Sequence, residues 1–211
     1  MIKHIIWDYN GTLLDDVRYC VDIMNEMLRI RHLPELTLAR YREIFDFPVK
    51  NYYQAAGIDF EKESFEQAGT EFIEKYNAGV AGLHLIPGTK QVLSELRKAG
   101  YRQYILSARK EADLLQELRQ FGIEQYFDKV AGLTNHYASG KVQRAEGLLK
   151  EIGEIPDRTV LIGDTVHDCE VAQAIGADSI LITTGHQNAN RLSKCNVPVA
   201  KTFDDLKALL F

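Results

Sequence analysis

Ile2-Lys3-His4-Ile5-Ile6-Trp7-Asp8-Tyr9-Asn10-Gly11-Thr12-Leu13 opens the chain with a short apolar run that meets an acidic residue and a glycine. The run predicts a strand over Ile2 to Trp7, and Gly11 permits a tight turn after it. In an α/β sheet the binding crevice lies outside the carboxyl ends of the strands, so Asp8 stands where such a sheet offers its chemistry. Asp, Asn and Gly are also ordinary turn residues, and taken alone the stretch fits a loop cap equally well.

Further along, apolar runs recur at Tyr104 to Leu106, Val160 to Ile162 and Ser179 to Ile182, with helical periodicity between them. That alternation predicts parallel strands joined by crossover helices, an α/β class with a parallel-sheet, Rossmann-like core. Gly88 to Ala99 shows the helical pattern. Val92, Leu93 and Leu96 form a stripe, Lys90, Glu95, Arg97 and Lys98 face water, and Gly100 supplies a stop. Glu111 to Gln120, Lys141 to Glu151, Val166 to Ile175 and Asp204 to Leu210 read the same way. Residues 15–83 break the alternation, with helical periodicity and no convincing strand, which predicts an inserted all-helical cap. Its first helix carries Val17, Val21, Met24, Met27 and Leu28, and its last carries Phe65, Ala68, Phe72 and Tyr76, both read as bundle core. Pro87-Gly88 marks the return to the core, which is thus expected to be discontinuous, residues 1–14 plus 84–211.

With 211 residues, 45% hydrophobic and 26% charged, the chain suits one globular core plus a small insert. A net charge of -5 argues against nucleic acid, which calls for a basic stripe. No apolar run approaches the ~20 residues of a membrane span, and no signal-peptide pattern precedes His4, so a cytoplasmic protein is expected. Cys20, Cys169 and Cys195 show no C-x-x-C spacing and read as structural thiols. The histidines show no paired metal spacing, and a zinc site is not expected. No partner protein is evident either. Small-molecule chemistry is the expectation.

A second apolar run, Val160 to Ile162, enters Gly163-Asp164-Thr165-Val166-His167-Asp168. Asp164 and Asp168 are four apart, a spacing that lets both carboxylates face one point if a helix starts near Thr165. Hard oxygen ligands of this kind suit Mg²⁺, although either residue alone also reads as a helix cap. Ser107 ends the run Gln103 to Leu106, and Lys141 follows Ser139-Gly140; a hydroxyl and an ammonium both suit phosphate oxygens.

These four elements in this order strongly resemble the haloacid dehalogenase superfamily, in its phosphoglycolate-phosphatase-like and β-phosphoglucomutase-like branch with a helical cap. The resemblance covers essentially the whole chain. It implies that Asp8 is the nucleophile and that Ser107 and Lys141 hold the phosphoryl group. It further implies that Asp8, Asp164, Asp168 and the main-chain carbonyl of Asn10 hold Mg²⁺. The expected activity is that of a phosphatase on a small phosphorylated metabolite, with no nucleic acid or membrane involved. Ala108 and Arg109, directly after Ser107, are expected near the phosphate. Lys50 in the loop Phe45-Asp46-Phe47-Pro48-Val49-Lys50, and Arg42, which flanks it with Tyr52 and Tyr53, are expected to reach substrate from the cap.

One position departs from the family pattern. Its phosphatases carry a second Asp two residues after the nucleophile as general acid and base, and here that residue is Asn10. An amide neither donates nor takes that proton at neutral pH, and general acid-base help is worth ~10² to 10⁴ in rate. Tyr9 and His167 are conceivable substitutes. Three outcomes stay open: a hydrolase of acyl or aryl phosphates whose leaving groups need little protonation, a phosphotransferase, or a phosphate-binding module without turnover. Haloacid dehalogenases also lack the second Asp, but they need no metal, and the Asp164 and Asp168 pair argues for one. A Schiff-base lysine at Lys50 or Lys62 has no local sequence support.

Overall fold

The computed structural model describes residues 2–133, 140–153 and 155–210. Ser139 lies outside the described residues. Strand β1, His4–Trp7, forms where three large apolar residues in succession leave no helical stripe. Ile5 and Trp7 pack into one hydrophobic cluster and Ile6 into the other, as the two-residue repeat of a strand requires. All three are wholly buried, the mark of a strand covered on both faces.

After β1 the chain enters the insert. A two-residue strand β2, Leu14–Asp15, leads into α1, Val17–Ile30, followed by α2, Leu38–Ile44, α3, Val49–Ala56, and α4, Phe65–Gly79. Strand β3, His84–Leu85, returns antiparallel to β2 and pairs Leu14 with Leu85. The α1 stripe is buried as expected. The α4 stripe is not all core: Ala68 and Tyr76 are buried, but Phe65 and Phe72 are half-buried, and Phe65, Phe72 and Tyr76 line a cavity. Helix α4 starts with a capping box in which Ser64 and Gln67 exchange hydrogen bonds at 3.1 Å each. Arg31, beyond the end of α1, reaches Glu63 at 2.5 and 2.6 Å and Glu71 at 2.7 Å, which ties α4 and its entry loop to α1.

The remaining chain alternates. Helix α5, Thr89–Lys98, precedes β4, Arg102–Lys110; α6, Glu111–Gln120, precedes β5, Lys129–Leu133; and α7, Lys141–Ile152, precedes β6, Thr159–Gly163. Helix α8, Val166–Ala174, β7, Asp178–Ile182, α9, Ala189–Leu192, β8, Val199–Ala200, and α10, Phe203–Leu210, complete it. The six strands run parallel in the order β5-β4-β1-β6-β7-β8, with Ile6 opposite Tyr104 on one side and Leu161 on the other. Leu93, Leu96, Leu118 and Leu206 cover the face of Ile5 and Trp7, and Ala145, Leu148 and Val171 cover the face of Ile6. The chain builds outward from β1 through β4 to β5 and then returns to the other side of β1 for β6. That reversal sets the switch point at the carboxyl ends of β1, β4 and β6. Strands β5 and β8 were not expected from the sequence: Ala131 and Gly132 replace the branched residues that signal a strand in β5, and β8 has only two residues. No described helix is long and apolar enough to cross a membrane.

Candidate active site

Asp8 stands one residue past β1, where its amide still donates to the Ile162 carbonyl at 2.8 Å and so continues the ladder to β6. Asp164 stands one residue past β6, and Asp168 lies in the first turn of α8. Carboxylate oxygens of Asp8, Asp164 and Asp168 all lie within 4.8 Å of one another, and all three residues are buried. Lys141, the first residue of α7, donates to Asp8 Oδ1 at 2.5 Å and to Asp168 Oδ1 at 2.7 Å. Asp164 accepts from Thr12 Oγ1 at 3.0 Å and from the His186 amide at 2.6 Å. Asp168 accepts from the Thr165 amide and hydroxyl at 3.0 and 2.7 Å, so it caps α8 and joins the cluster at once.

Burial raises the Asp8 carboxyl well above the usual carboxylate range, and the nearby Asp168 and Asp164 add to this against the pull of Lys141. Asp164 is pushed up to about 6, by burial first and by Asp168 next, against His186 and Thr12. For Asp168 burial acts in the same sense, but the Lys141 ammonium outweighs it and the carboxyl is held low. Burial alone would lower Lys141; Asp168 and Asp8 reverse that and keep it charged. Among the described residues, Lys141 is the one ammonium bonded within this group of three carboxyl side chains.

Two glycines let the backbone close around Asp164. Gly11 has φ +72°, and a Cβ there would lie 2.5 Å from Asp164 Oδ2 and 2.6 Å from His186 Cδ2. A Cβ on Gly185 would lie 1.9 Å from Asp164 Oδ2. Any side chain at either position would displace the carboxylate.

Ser107, Ala108 and Arg109 belong to β4, which runs on to Lys110 through a register shift after Leu106, and all three line the cavity. Ser107 is buried, and its hydroxyl accepts from the Arg109 amide at 3.1 Å. Arg109 is buried as well. Its guanidinium is buried against Glu117 Oε1 at 2.9 and 2.7 Å, reaches Asn77 Oδ1 at 2.7 Å and lies 5.0 Å over the Tyr76 ring.

The two cap cations read as substrate contacts are not cavity-lining residues. Arg42 spends its guanidinium on the Gly185 and Thr184 carbonyls at 2.9 and 3.0 Å, and Lys50 is exposed, 5.6 Å over the Phe60 ring. Neither conceivable substitute for the second Asp lines the cavity either. Tyr9 is wholly buried, and His167 is paired with Glu170 at 3.2 Å beside the Phe47 ring. Lys62 is bonded to Asp59 at 3.0 Å on the surface.

Of the residues grouped around Asn10, Asp16, His186 and Tyr41 were not singled out from the sequence, and Tyr76 was read only as bundle core. The Asn10 amide donates to Asp16 Oδ2 at 2.8 Å and to the Tyr76 hydroxyl at 2.7 Å, and Tyr76 itself donates to Asp16 at 2.9 Å. His186 Nε2 lies 3.3 Å from Asp16 Oδ1, and its Nδ1 lies 2.8 Å from the Tyr41 hydroxyl. Burial works against charge on this imidazole, but Asp16 prevails and pushes it up to about 9. A signal for His186 existed: like Asp164 it follows an apolar strand and a glycine, at Ile182-Thr183-Thr184-Gly185-His186. Cys20 packs 3.7 Å from Asp16, while Cys169 and Cys195, distant in sequence, are neighbours in the fold. The whole arrangement opens into a cavity of about 460 Å³ whose floor is the sheet end and whose wall is the insert.

Residues 5–182 match the family model described as haloacid dehalogenase-like hydrolase. The chain belongs to this family. Among curated relatives, Tyrosine-protein kinase PtkA of Mycobacterium tuberculosis is 32% identical over 215 residues, covering 98% of this chain and 72% of PtkA. Phosphoglycolate phosphatase of Rhodobacter capsulatus is 26% identical over 99% of this chain and 95% of its own length. The solved structure of M. tuberculosis PtkA superposes with a TM-score of 0.83 at 29% identity, over 99% of this chain and 98% of that one. A haloacid dehalogenase-like protein of Streptococcus pneumoniae shares the fold at a TM-score of 0.85 and 21% identity, over 100% and 99% of the two chains.

Proposed function

We propose that this member of the haloacid dehalogenase-like hydrolases is a Mg²⁺-dependent phosphatase that passes a phosphoryl group from a small metabolite to Asp8 and then to water. The observation that carries this reading is the convergence of Asp8, Asp164, Asp168 and Lys141 in one buried cluster. The donor set fits the metal: it is all oxygen and buried. Asp8, Asp164, Asp168 and the Asn10 carbonyl would hold Mg²⁺, which supplies Lewis acidity toward the phosphate oxygens. The Asn10 side chain is engaged by Asp16 and Tyr76, which leaves its carbonyl for this role.

The chain's own residues then divide the work. Asp8 attacks phosphorus to give an acyl phosphate, which splits the reaction into two steps. Lys141 and Ser107 bind phosphate oxygens and orient them for that attack. Residues 15–83 act as the lid, hinged where β2 and β3 pair, and exclude water. Arg42 supports the lid through the Gly185 and Thr184 carbonyls, and Gln187 donates to the Phe45 carbonyl at 2.9 Å.

Asn10 limits the proton transfers on both sides of the intermediate. Substrates whose leaving oxygen departs unprotonated therefore suit the site. A second reading, a phosphotransferase that discharges Asp8 to an acceptor other than water, is favoured by the same Asn10 and by the relative named a tyrosine-protein kinase. A phosphate-ester panel with Mg²⁺ on wild type, Asp8→Asn and Asn10→Asp tests the proposal. Activity that vanishes in Asp8→Asn supports it; activity unchanged in both variants defeats it. Faster discharge to an added alcohol than to water selects the second reading.

A further inference from the structure

The cavity wall supplied by the insert is a continuous run of rings. Phe47 packs on Phe45 with centroids 5.5 Å apart, Phe45 on Tyr52 at 5.2 Å, Tyr52 on Tyr53 at 5.5 Å, Tyr53 on Phe72 at 6.2 Å and Phe72 on Tyr76 at 6.3 Å. The run ends at the Asn10 amide, which donates to the Tyr76 hydroxyl at 2.7 Å. Phe45, Phe47 and Phe72 are only half-buried, and all three line the cavity. Thr70, Glu74 and Asn77, exposed on α4, supply its polar lining from the insert.

Apolar surface of this extent gains when other apolar surface is laid against it, and ring faces and edges favour aromatic partners in particular. A cavity of about 460 Å³ is of the size that encloses a ring-bearing ligand, and a small acyl phosphate would leave this wall wet. Asn10 narrows the choice from the other end. A tyrosine-type phenol ionises near ~10, well below an aliphatic alcohol, so a phenolate leaves without the proton that Asn10 is unable to give.

We propose that the substrate is an aryl phosphate monoester, its ring against the Phe45–Phe72 wall and its phosphate over Asp8. The assignment rests on the phosphatase reading of Asp8. In the first step an Asp8 oxygen bonds to phosphorus, and the phosphorus–aryl oxygen bond breaks with its electron pair kept on the phenolate, which takes a proton from solvent. In the second, water bonds to phosphorus and the acyl phosphate bond breaks. One water proton stays on the hydrogen phosphate and the other returns to solvent, so no net proton or electron is left over.

Three substrates separate the contributions, in the Mg²⁺-loaded enzyme. Phenyl phosphate and benzyl phosphate carry the same ring on different leaving oxygens, and acetyl phosphate carries a good leaving group and no ring. Expected is a kcat/KM for phenyl phosphate on the order of 10² above benzyl phosphate, and a KM well below that for acetyl phosphate. Phe72→Ala is expected to raise KM for phenyl phosphate about tenfold more than for acetyl phosphate, with Phe72→Leu, which keeps apolar volume and the fold, between them. Free phosphotyrosine against a phosphotyrosyl peptide then tells whether the phenol is a small molecule or a protein side chain; preference for either supports the assignment. Equal kcat/KM for phenyl and benzyl phosphate, or Phe72 variants that shift acetyl phosphate as far as phenyl phosphate, overturns the aryl assignment and leaves Asp8 as nucleophile. Turnover unaffected by Asp8→Asn overturns the phosphatase reading itself.

Discussion

At the sheet end of the cavity, side chains from β1, β6, α7 and α8 meet through discrete charged hydrogen bonds, Lys141 to Asp8 at 2.5 Å and Lys141 to Asp168 at 2.7 Å among them. At the cap end, the rings of Phe45, Tyr52, Tyr53 and Phe72 pack on one another at centroid distances of 5.2 to 6.2 Å. The floor depends on direction and charge, so a single atom out of place removes its function. The wall depends on volume and area, so substitutions there carry graded costs. On the proposed reading, chemistry belongs to the core and substrate choice to the cap.

The largest expected effect crosses the border between the two regions, at Asn10. An aspartate there alone would face the Asp16 carboxylate across the present 2.8 Å contact, a like-charge pair in a buried site. Exchanging the two, Asn10→Asp with Asp16→Asn, restores one acid and one amide in the same space. The double variant is expected to raise kcat on an alkyl phosphate by ~10² to 10⁴ in steady-state assays, with Asn10→Asp alone gaining less and melting lower. No gain in either would show that proton transfer does not limit turnover.

A middle-sized effect tests the exactness demanded of the floor. Gly185→Ala drives a Cβ against Asp164, and overpacking of this kind costs ~1 to 3 kcal/mol. Expected are a lower Tm and a weaker Mg²⁺ dependence, read as a higher metal concentration at half-maximal rate. An unchanged metal titration would separate Asp164 from the metal.

The smallest effect belongs to the contact between the regions. Arg42→Met should lower kcat/KM a few-fold, about 1 kcal/mol for a hydrogen-bonded tether, and by the same factor for phenyl and acetyl phosphate. That uniformity distinguishes support of the lid from contact with substrate. A loss confined to one of the two esters would return Arg42 to the substrate site.

The same contrast explains what was legible in the sequence. Asp8 and Asp164 each follow an apolar strand within one or two residues, so local order betrays them, and the strands that carry them were read correctly. Asp16 and His186 have their meaning only through each other, and nothing in Asp15-Asp16-Val17 announces a buried pair with a histidine beyond β7. Strand β5 was missed because Ala131 and Gly132 pack tightly without a branched signature; Gly132 sits where a Cβ would lie 2.4 Å from Glu111 Cα. In the cap, the helical period of Phe65, Phe72 and Tyr76 was visible, but a helix that packs against neighbours and walls a cavity shows one period for both tasks. The positions of Arg42 and Lys50 were beyond reach for a related reason: their partners are backbone carbonyls and a ring in segments that sequence alone does not bring together.

The central claim is a phosphoryl group on Asp8. Rapid acid quench of the Mg²⁺-loaded enzyme with phenyl phosphate, followed by peptide mass mapping, tests it most directly. One phosphoryl group is predicted on the peptide that contains Asp8, present in wild type and absent from both Asp8→Asn and the metal-free enzyme. A label on any other residue, or steady turnover with Asp8 never labelled, would contradict the account.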